Sequence, residues 1–311
     1  MNIIFMGTPD FAVPCLEALV KSGENVKAVF TQPDKPKGRG YKMIPTPVKV
    51  AAQNCGIDVY QPTSLRKGED AQEALEVIKK ISPDVIVVVA YGQILPEEIL
   101  SIPKHGCINV HGSLLPKYRG AAPMQWCILN GEKVTGITTM LMDKGLDTGD
   151  MLIKREVAIG ENDTFSELHD SLSAAGADVL LETIKALSDG TLVREKQNDE
   201  ESTYSPMITK NMSLIDFSEP AYKIHNKIRA ITGYAFMNGK RLKVFRSELG
   251  EGSSLETPGT VESVSDFTVV CGDGKLVKFT EVQPEGGKRL KVADFLRGNK
   301  IEKGTVLSSE Q

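Results

Sequence analysis

Apolar and polar positions along this chain recur with two different periods, and the change of period divides it. NIIFMG opens the chain as an apolar run, and AVPCLEALVKSG follows with helical spacing. VKAVFTQP predicts a strand, PVKVAAQNCG a helix and IDVYQP a short strand. EDAQEALEVIKKI is an amphipathic helix, and PDVIVVVAYG after it is β-branched and apolar at consecutive positions. A strand apolar on both faces suits the centre of a parallel sheet covered by helices on both sides. GCINVHG is the next strand. Strands alternating with helices predict an α/β layer with a parallel sheet, and a ligand in such a sheet sits beyond the carboxyl ends of the strands. Those ends are Gly7-Thr8-Pro9, Gln32-Pro33, Tyr91-Gly92 and His111-Gly112-Ser113.

Asp163 to Leu187 is amphipathic with helical spacing. Asp163 or Thr164 can cap it, with Glu167 reaching back. LSDGTLVREKQNDEESTYSP is polar and irregular and reads as a linker. The pattern then changes. One helix, EPAYKIHNKIRAI, precedes short alternating strands, RLKVFRS, GTVESV, FTVVCGDG and LVKFTEV. Asn238-Gly239 and Gly272-Asp273-Gly274 are turn signals between them. This predicts a small β-barrel or open meander. The expected division is a first domain over residues 1–188, a linker over 189–206 and a second domain over 207–311.

Composition narrows the class. The 311 residues are 41% hydrophobic and 25% charged, ordinary for a soluble globular protein. The longest apolar run, Val85 to Tyr91, is far short of the ~18 residues of a membrane span. MNIIFMGTPD has no basic start and no cleavage-type site, so no signal peptide is expected. Five cysteines stand singly, outside any C-x-x-C pair. They suggest neither zinc nor a disulfide framework and fit a reducing cytoplasm. A monomer is the expected state. The net charge is −4, but from Pro206 to Gln311 there are 16 Lys and Arg against 13 Asp and Glu. The second domain therefore leans towards a negatively charged partner.

The candidate chemistry lies at the strand ends. MGTPDFAVP stands where a dinucleotide-binding turn would carry G-x-G-x-x-G and has only Gly7, which argues against NAD or FAD. Asn109 and His111 are two apart in a strand, so they face one side about 7 Å apart. An Asn amide can donate to an oxyanion, and a His can exchange a proton near neutrality. Gly112 permits a close turn, and Pro116 sets a bend. Asp143, Asp147 and Asp150 are spaced by glycines in MDKGLDTGDML. Such aspartates ordinarily form turns. Their spacing is not that of a calcium loop and no metal is expected. A carboxylate beside His111 would orient its ring. QPDKPKGRGYKMIPTPVK holds Lys35, Lys37, Arg39, Lys42 and Lys49 against Asp34 alone. A loop of ~15 residues inside a compact domain is usually functional. It is either a solvated basic loop or a contact with a nucleic-acid backbone, with Tyr41 available to stack on an unpaired base.

CINVHGSLLPKYRGAAP, followed by GLDTGDML, resembles the 10-formyltetrahydrofolate-dependent formyltransferases. FMGTPDFAVP, TQPDKPKGRG and VVVAYGQILP extend the resemblance along the chain. The basic loop and the additional C-terminal domain are similar to those of the branch that acts on tRNA. The fold implied is α/β, a Rossmann-like parallel-sheet N-terminal domain with a smaller C-terminal β-barrel that is OB-like and binds tRNA. The resemblance implies catalytic roles for Asn109, His111 and Asp147. It implies folate contacts for Ser113, Leu114, Leu115 and Pro116, with Val89, Tyr91, Gly92, Ile94 and Leu95 forming the pterin wall. It implies that the inserted loop, Asp34 to Pro47, meets tRNA through Lys35, Lys37, Arg39, Tyr41 and Lys42. The reaction implied moves a formyl group from 10-formyltetrahydrofolate, a co-substrate, to the α-amino group of methionyl initiator tRNA, with no metal. One stretch departs from the family. Members often read Asn-Pro-Trp-Pro after the helix of the second domain, and this chain has RAITGYAF. The rival expectations are a formyltransferase acting on a small amine (glycinamide ribonucleotide or an amino sugar nucleotide), a hydrolase passing the formyl group to water, and a non-catalytic nucleic-acid binder.

Overall fold

The computed structural model describes residues 1–37 and 42–310, and of Lys37 and Lys42 the backbone alone. Arg39 and Tyr41 lie outside the described residues. The chain forms two compact units. One comprises Met1–Gly120, Thr135–Val157 and His169–Tyr204, and the other Ala121–Val134, Ala158–Leu168 and Ser205–Gln311.

The chain begins as read from its pattern: β1 (Asn2–Gly7), α1 (Val13–Lys21) and β2 (Asn25–Phe30). The basic segment is not irregular throughout. β3 (Lys35–Lys37) and β4 (Lys42–Ile44) pair antiparallel, with Lys35 opposite Ile44. α2 (Pro47–Asn54) follows, its Lys49 N–H capped by the Thr46 hydroxyl at 3.1 Å. Then come β5 (Val59–Tyr60) and α3 (Glu69–Ile81). Glu69 and Asp70 in the first turn of α3, with Lys79 and Lys80 in the last, complement the helix dipole. β6 (Val85–Val89) is buried at every position, as a central strand requires. α4 (Glu97–Leu100) leads to β7 (Cys107–His111) and the short β8 (Arg119–Gly120).

α5 (Pro123–Leu129) precedes β9 (Val134–Leu141) and β10 (Met151–Ala158). α6 (Phe165–Ser188) ends in a polar stretch that carries β11 (Tyr204–Ser205). The main sheet runs β10-β9-β7-β6-β1-β2-β5. β5, β2, β1, β6 and β7 run parallel to one another, whereas β9 is antiparallel to β7. The antiparallel edge was not legible, because a run as short as VTGITTML does not reveal the direction in which it pairs. On one face Ile4, Met6, Phe30, Ile78, Ile86, Tyr91 and Ile99 make a continuous core.

In the second unit α7 (Ala221–Ile231) packs its Ile224 and Ile228 into a core with Phe267, Phe279 and Phe295. β12 (Gly233–Met237) turns at Asn238-Gly239, both with positive φ, into β13 (Lys240–Ser253). That Asn-Gly pair was the turn signal in the sequence. β14 (Val261–Ser263), β15 (Thr268–Val270), β16 (Lys275–Pro284), β17 (Leu290–Lys291), α8 (Val292–Gly298) and β18 (Leu307–Ser308) complete it. The strands are antiparallel in the order β14-β15-β16-β13-β12-β18, with β17 on β16. Register shifts along β13 at Val244, Arg246 and Leu249 let one long strand curl. The result is a curled antiparallel half-barrel.

Candidate active site

β7 places the first two polar groups. Asn109 pairs in register with Met140 and His111 with Thr138 of β9, so both side chains leave the same face. His111 is buried, 6% exposed, while Asn109 is half-buried. Its neighbour Cys107 is inert, since burial pushes that thiol up to about 12.

The chain breaks at Gly112 and folds back on itself. Ser113 donates its hydroxyl to the Lys117 carbonyl at 2.7 Å, and the Lys117 N–H reaches the Leu114 carbonyl at 3.2 Å. The Leu115–Pro116 peptide is cis, and Tyr118 has positive φ. This return brings the Tyr118 carbonyl to 2.9 Å from Nε2 of His111. A carbonyl can only accept, so Nε2 carries the hydrogen. Nδ1 is therefore the free face of the ring. From β9, the Thr138 hydroxyl donates to the Ser113 carbonyl at 2.7 Å and accepts the Leu115 N–H at 3.1 Å.

The third group arrives on the loop between β9 and β10. Asp143 accepts from the Gly145 N–H at 2.9 Å and the Thr148 hydroxyl at 2.7 Å, so it is the turn former. A Cβ on Gly149 would lie 1.7 Å from the Leu141 carbonyl oxygen, so only glycine fits where the loop rejoins the sheet. Between them Asp147 has a φ of 55°, a left-handed conformation tolerated best by Gly, Asn and Asp. Its Oδ2 lies 3.7 Å from Nδ1 of His111 and accepts the Gly120 N–H at 2.8 Å.

Gln197 holds that loop. Its Nε2 donates to the Asp147 and Gly149 carbonyls at 2.8 and 2.7 Å, and its Oε1 accepts Nε of Arg119 at 3.0 Å. Sequence reading passed over it, because it sits in the polar stretch taken as a linker and nothing local marks it as buried.

The candidate folate residues separate into two groups. Val89, Tyr91 and Leu95 are buried, and Tyr91 and Leu95 belong to the core beside Phe30 and Ile99. Leu115 packs with Met140 and Met151. The hydroxyl of Ser113 is engaged within its own turn. Surface is presented by Gly92, by Ile94, which is 67% exposed, and in part by Leu114 and Pro116. The Tyr91 carbonyl accepts from the Thr8 hydroxyl at 2.8 Å and from Gln32 at 3.4 Å, which fixes this strand end.

Of the basic segment, Lys35 is exposed, and the backbones of Lys37 and Lys42 face each other in the hairpin. Lys49, read in the sequence as part of the basic patch, spends its charge on Asp34 at 2.7 Å. Among the described residues no three His, Cys, Asp or Glu side chains form a group able to hold a metal. No described helix is long and apolar enough to cross a membrane.

Known proteins resemble the chain in both units. Residues 1–184 match the formyl transferase family and residues 207–300 the formyl transferase C-terminal domain. Methionyl-tRNA formyltransferase of Caldanaerobacter subterraneus subsp. tengcongensis is 52% identical over 99% of this chain and all of its own length. That of Clostridium novyi is 51% identical over the same shares. Among solved structures, an N-formyltransferase from Helicobacter canadensis in complex with folinic acid and dTDP-3-aminofucose has a TM-score of 0.67 at 24% identity, covering 89% of this chain and 98% of its own. HypX from Aquifex aeolicus in complex with tetrahydrofolic acid has a TM-score of 0.64 at 17% identity, covering 98% of this chain and 50% of its own. At such identity these two structures speak for the fold alone. With both family patterns matched in order, and relatives sharing half its residues from end to end, the chain belongs to the formyl transferase family, alongside the methionyl-tRNA formyltransferases.

Proposed function

We propose that this chain transfers the formyl group of 10-formyltetrahydrofolate to the α-amino group of methionyl initiator tRNA. The observation that supports it above all is 52% identity to a methionyl-tRNA formyltransferase over 99% of the chain. The reaction is an acyl transfer between two nitrogens. The neutral amine attacks the formyl carbon, and the carbonyl oxygen becomes negative as the tetrahedral centre forms. The C–N bond to N10 then breaks, and a proton lost by the amine ends on N10.

In this reading the half-buried Asn109 amide donates to the oxyanion. Placed donors of this kind are worth on the order of 10²–10³ in rate. His111 is oriented by the Tyr118 carbonyl at Nε2, which leaves Nδ1 towards Asp147 and the reacting centre. Nδ1 receives the amine proton and passes it on, with Asp147 across 3.7 Å complementing the charge the ring gains. Proton transfer by a positioned group contributes roughly 10²–10⁴. Gly92, Ile94, Leu114 and Pro116 supply the surface for the pterin, while Val89, Tyr91, Leu95, Ser113 and Leu115 shape it from behind.

Residues 1–188 serve as the catalytic domain, 189–206 as the linker and 207–311 as a tRNA-binding domain. Lys35, Lys37, Arg39, Tyr41 and Lys42 are proposed to meet the tRNA. The acceptor puts the reaction with translation initiation, in the cytoplasm, and the chain acts as a monomer. The test is incubation with 10-formyltetrahydrofolate and methionyl-tRNA, expecting formylmethionyl-tRNA. Formylation of a free amino sugar nucleotide or glycinamide ribonucleotide in its place, or formate release without acceptor, would replace this reading.

A further inference from the structure

The basic hairpin leaves and rejoins the sheet through one closed ring of side chains. Asp34 stands immediately before β3, and Lys49 lies in the first turn of α2, after β4. Nζ of Lys49 donates to Oδ2 of Asp34 and to Oε1 of Gln61, both at 2.7 Å. Nε2 of Gln61 donates to Oδ1 of Asp34 at 2.7 Å and to the Gln32 carbonyl at 2.9 Å. Both N–H groups of the Gln61 amide and two of the three on Lys49 meet an acceptor, and both carboxylate oxygens are used. The pair is three-quarters or more buried, with Lys49 20% and Asp34 23% exposed, unlike a loose surface ion pair. The bonds from Lys49, then from Gln61, hold the Asp34 carboxyl below its ordinary range.

The ring is tied further to the sheet edge. The Thr31 and Thr46 hydroxyls meet at 2.7 Å across the two arms of the segment. The Gln32 N–H reaches the Thr8 hydroxyl at 3.3 Å, and that hydroxyl donates to the Tyr91 carbonyl at 2.8 Å. One hydrogen-bonded path thus runs from the base of the hairpin to the ends of β1, β2 and β6. The hairpin itself is short, with three residues in each strand. Two such strands have little stability alone.

We propose that Asp34, Lys49 and Gln61 are positioning residues for the tRNA acceptor: they aim the basic hairpin at the carboxyl edge of the sheet and touch neither substrate. This rests on the proposed contact of the 34–47 segment with tRNA. An unaimed hairpin must be ordered at each binding event, which weakens tRNA binding and leaves folate binding and chemistry unchanged.

The test is steady-state kinetics of the full chain carrying Asp34→Asn, Lys49→Met or Gln61→Leu, with Arg39→Ala as the control for the contact. Asp34→Asn is the sharpest, since it puts an amide of the same shape where Nζ and Nε2 both need an acceptor. Each ring variant is expected to raise KM for methionyl-tRNA by about 10-fold, the scale of one lost charged hydrogen bond. KM for the formyl donor and kcat at saturating tRNA stay within about twofold. The Asp34→Asn, Lys49→Met double variant raises KM no further than either single change, because the first already opens the ring. A merely structural loss lowers the amount of active protein, and so kcat, without moving KM for tRNA alone. If Arg39→Ala raises KM for tRNA and the ring variants do not, the positioning role is overturned and the contact stands. If Arg39→Ala leaves it unchanged, the contact fails and this role fails with it.

Discussion

Oδ2 of Asp147 faces Nδ1 of His111 across 3.7 Å and takes the Gly120 N–H at 2.8 Å through the same atom. The backbone thus holds the carboxylate in place while its charge is turned to the ring. Asp147→Asn keeps the shape and removes the charge. Single-turnover formylation is expected to slow by roughly 10²–10⁴ with the fold intact. A variant that turned over at the unaltered rate would remove Asp147 from the chemistry.

Asn109 gives a cleaner separation of activity from stability. It is half-buried at the strand end, and its side chain enters no hydrogen bond among the described residues. Asn109→Ala should therefore cost little stability while lowering kcat by about 10²–10³. Urea unfolding and kcat measured on one preparation decide this. A large loss of stability would point to a structural amide.

Gln197 acts one step back from the reacting groups. Replacing it with Leu strips the N–H donors from the part-buried Asp147 carbonyl and from the buried Gly149 carbonyl. A loss of about 1–3 kcal/mol is expected, the cost of the one buried bond left unmade. Asp147 loses its set position at the same time, so kcat falls more than KM for folate rises. Unchanged stability in chemical denaturation would mean that the loop holds itself.

Tyr91 carries the one buried side-chain polar atom without a hydrogen-bond partner among the described residues, its hydroxyl. Burial raises that phenol above its ordinary value. Tyr91→Phe removes an unpaired polar atom from the core. Stability is expected to hold or to rise by about 1 kcal/mol. A fall of that size in the unfolding free energy measured in urea would show that the hydroxyl has a partner.

Acid should weaken the second unit in two windows. Burial lowers the pKa of His225, while its donation to the Glu161 carbonyl opposes the shift. A His kept neutral by folding stabilises fully above its ordinary 6.5 and loses that contribution as pH falls below it. Glu167 is held at about 2, first by the Arg246 guanidinium and then by the Thr164 N–H. Its contribution is complete above 4.5 and is lost as pH falls towards 2. Glu167 is 44% exposed, so solvent screening keeps this step small. Glu167→Gln should flatten the urea midpoint between these two values and leave the step near 6.5. An unchanged profile at low pH would exclude the Arg246 pair as its source.

Much of the fold could be read before any coordinates. The boundaries of α3 and the burial of β6 follow from spacing and β-branching. The Asn238-Gly239 turn follows from the two residues that best accept positive φ. The capping of α6 was legible too, and there Thr164 donates to Glu167 at 2.8 Å through its N–H and again through its hydroxyl. The β3–β4 hairpin and the direction of β9 were not, because short runs do not reveal their partners.

Local sequence predicted that Asn109 and His111 share a face, since a strand repeats every two residues, and the unbroken register of β7 with β9 keeps them there. It also determined that the Asp-Gly stretch after β9 turns. Which of its three aspartates meets the imidazole was decided only in three dimensions, by Gln197, Gly120 and the left-handed φ of Asp147, drawn from separate parts of the chain. The same holds for Lys49, a free cation in the sequence and a spent one in the fold. Charge and periodicity are written locally, but the partner that neutralises a charge or aims a side chain is chosen by packing.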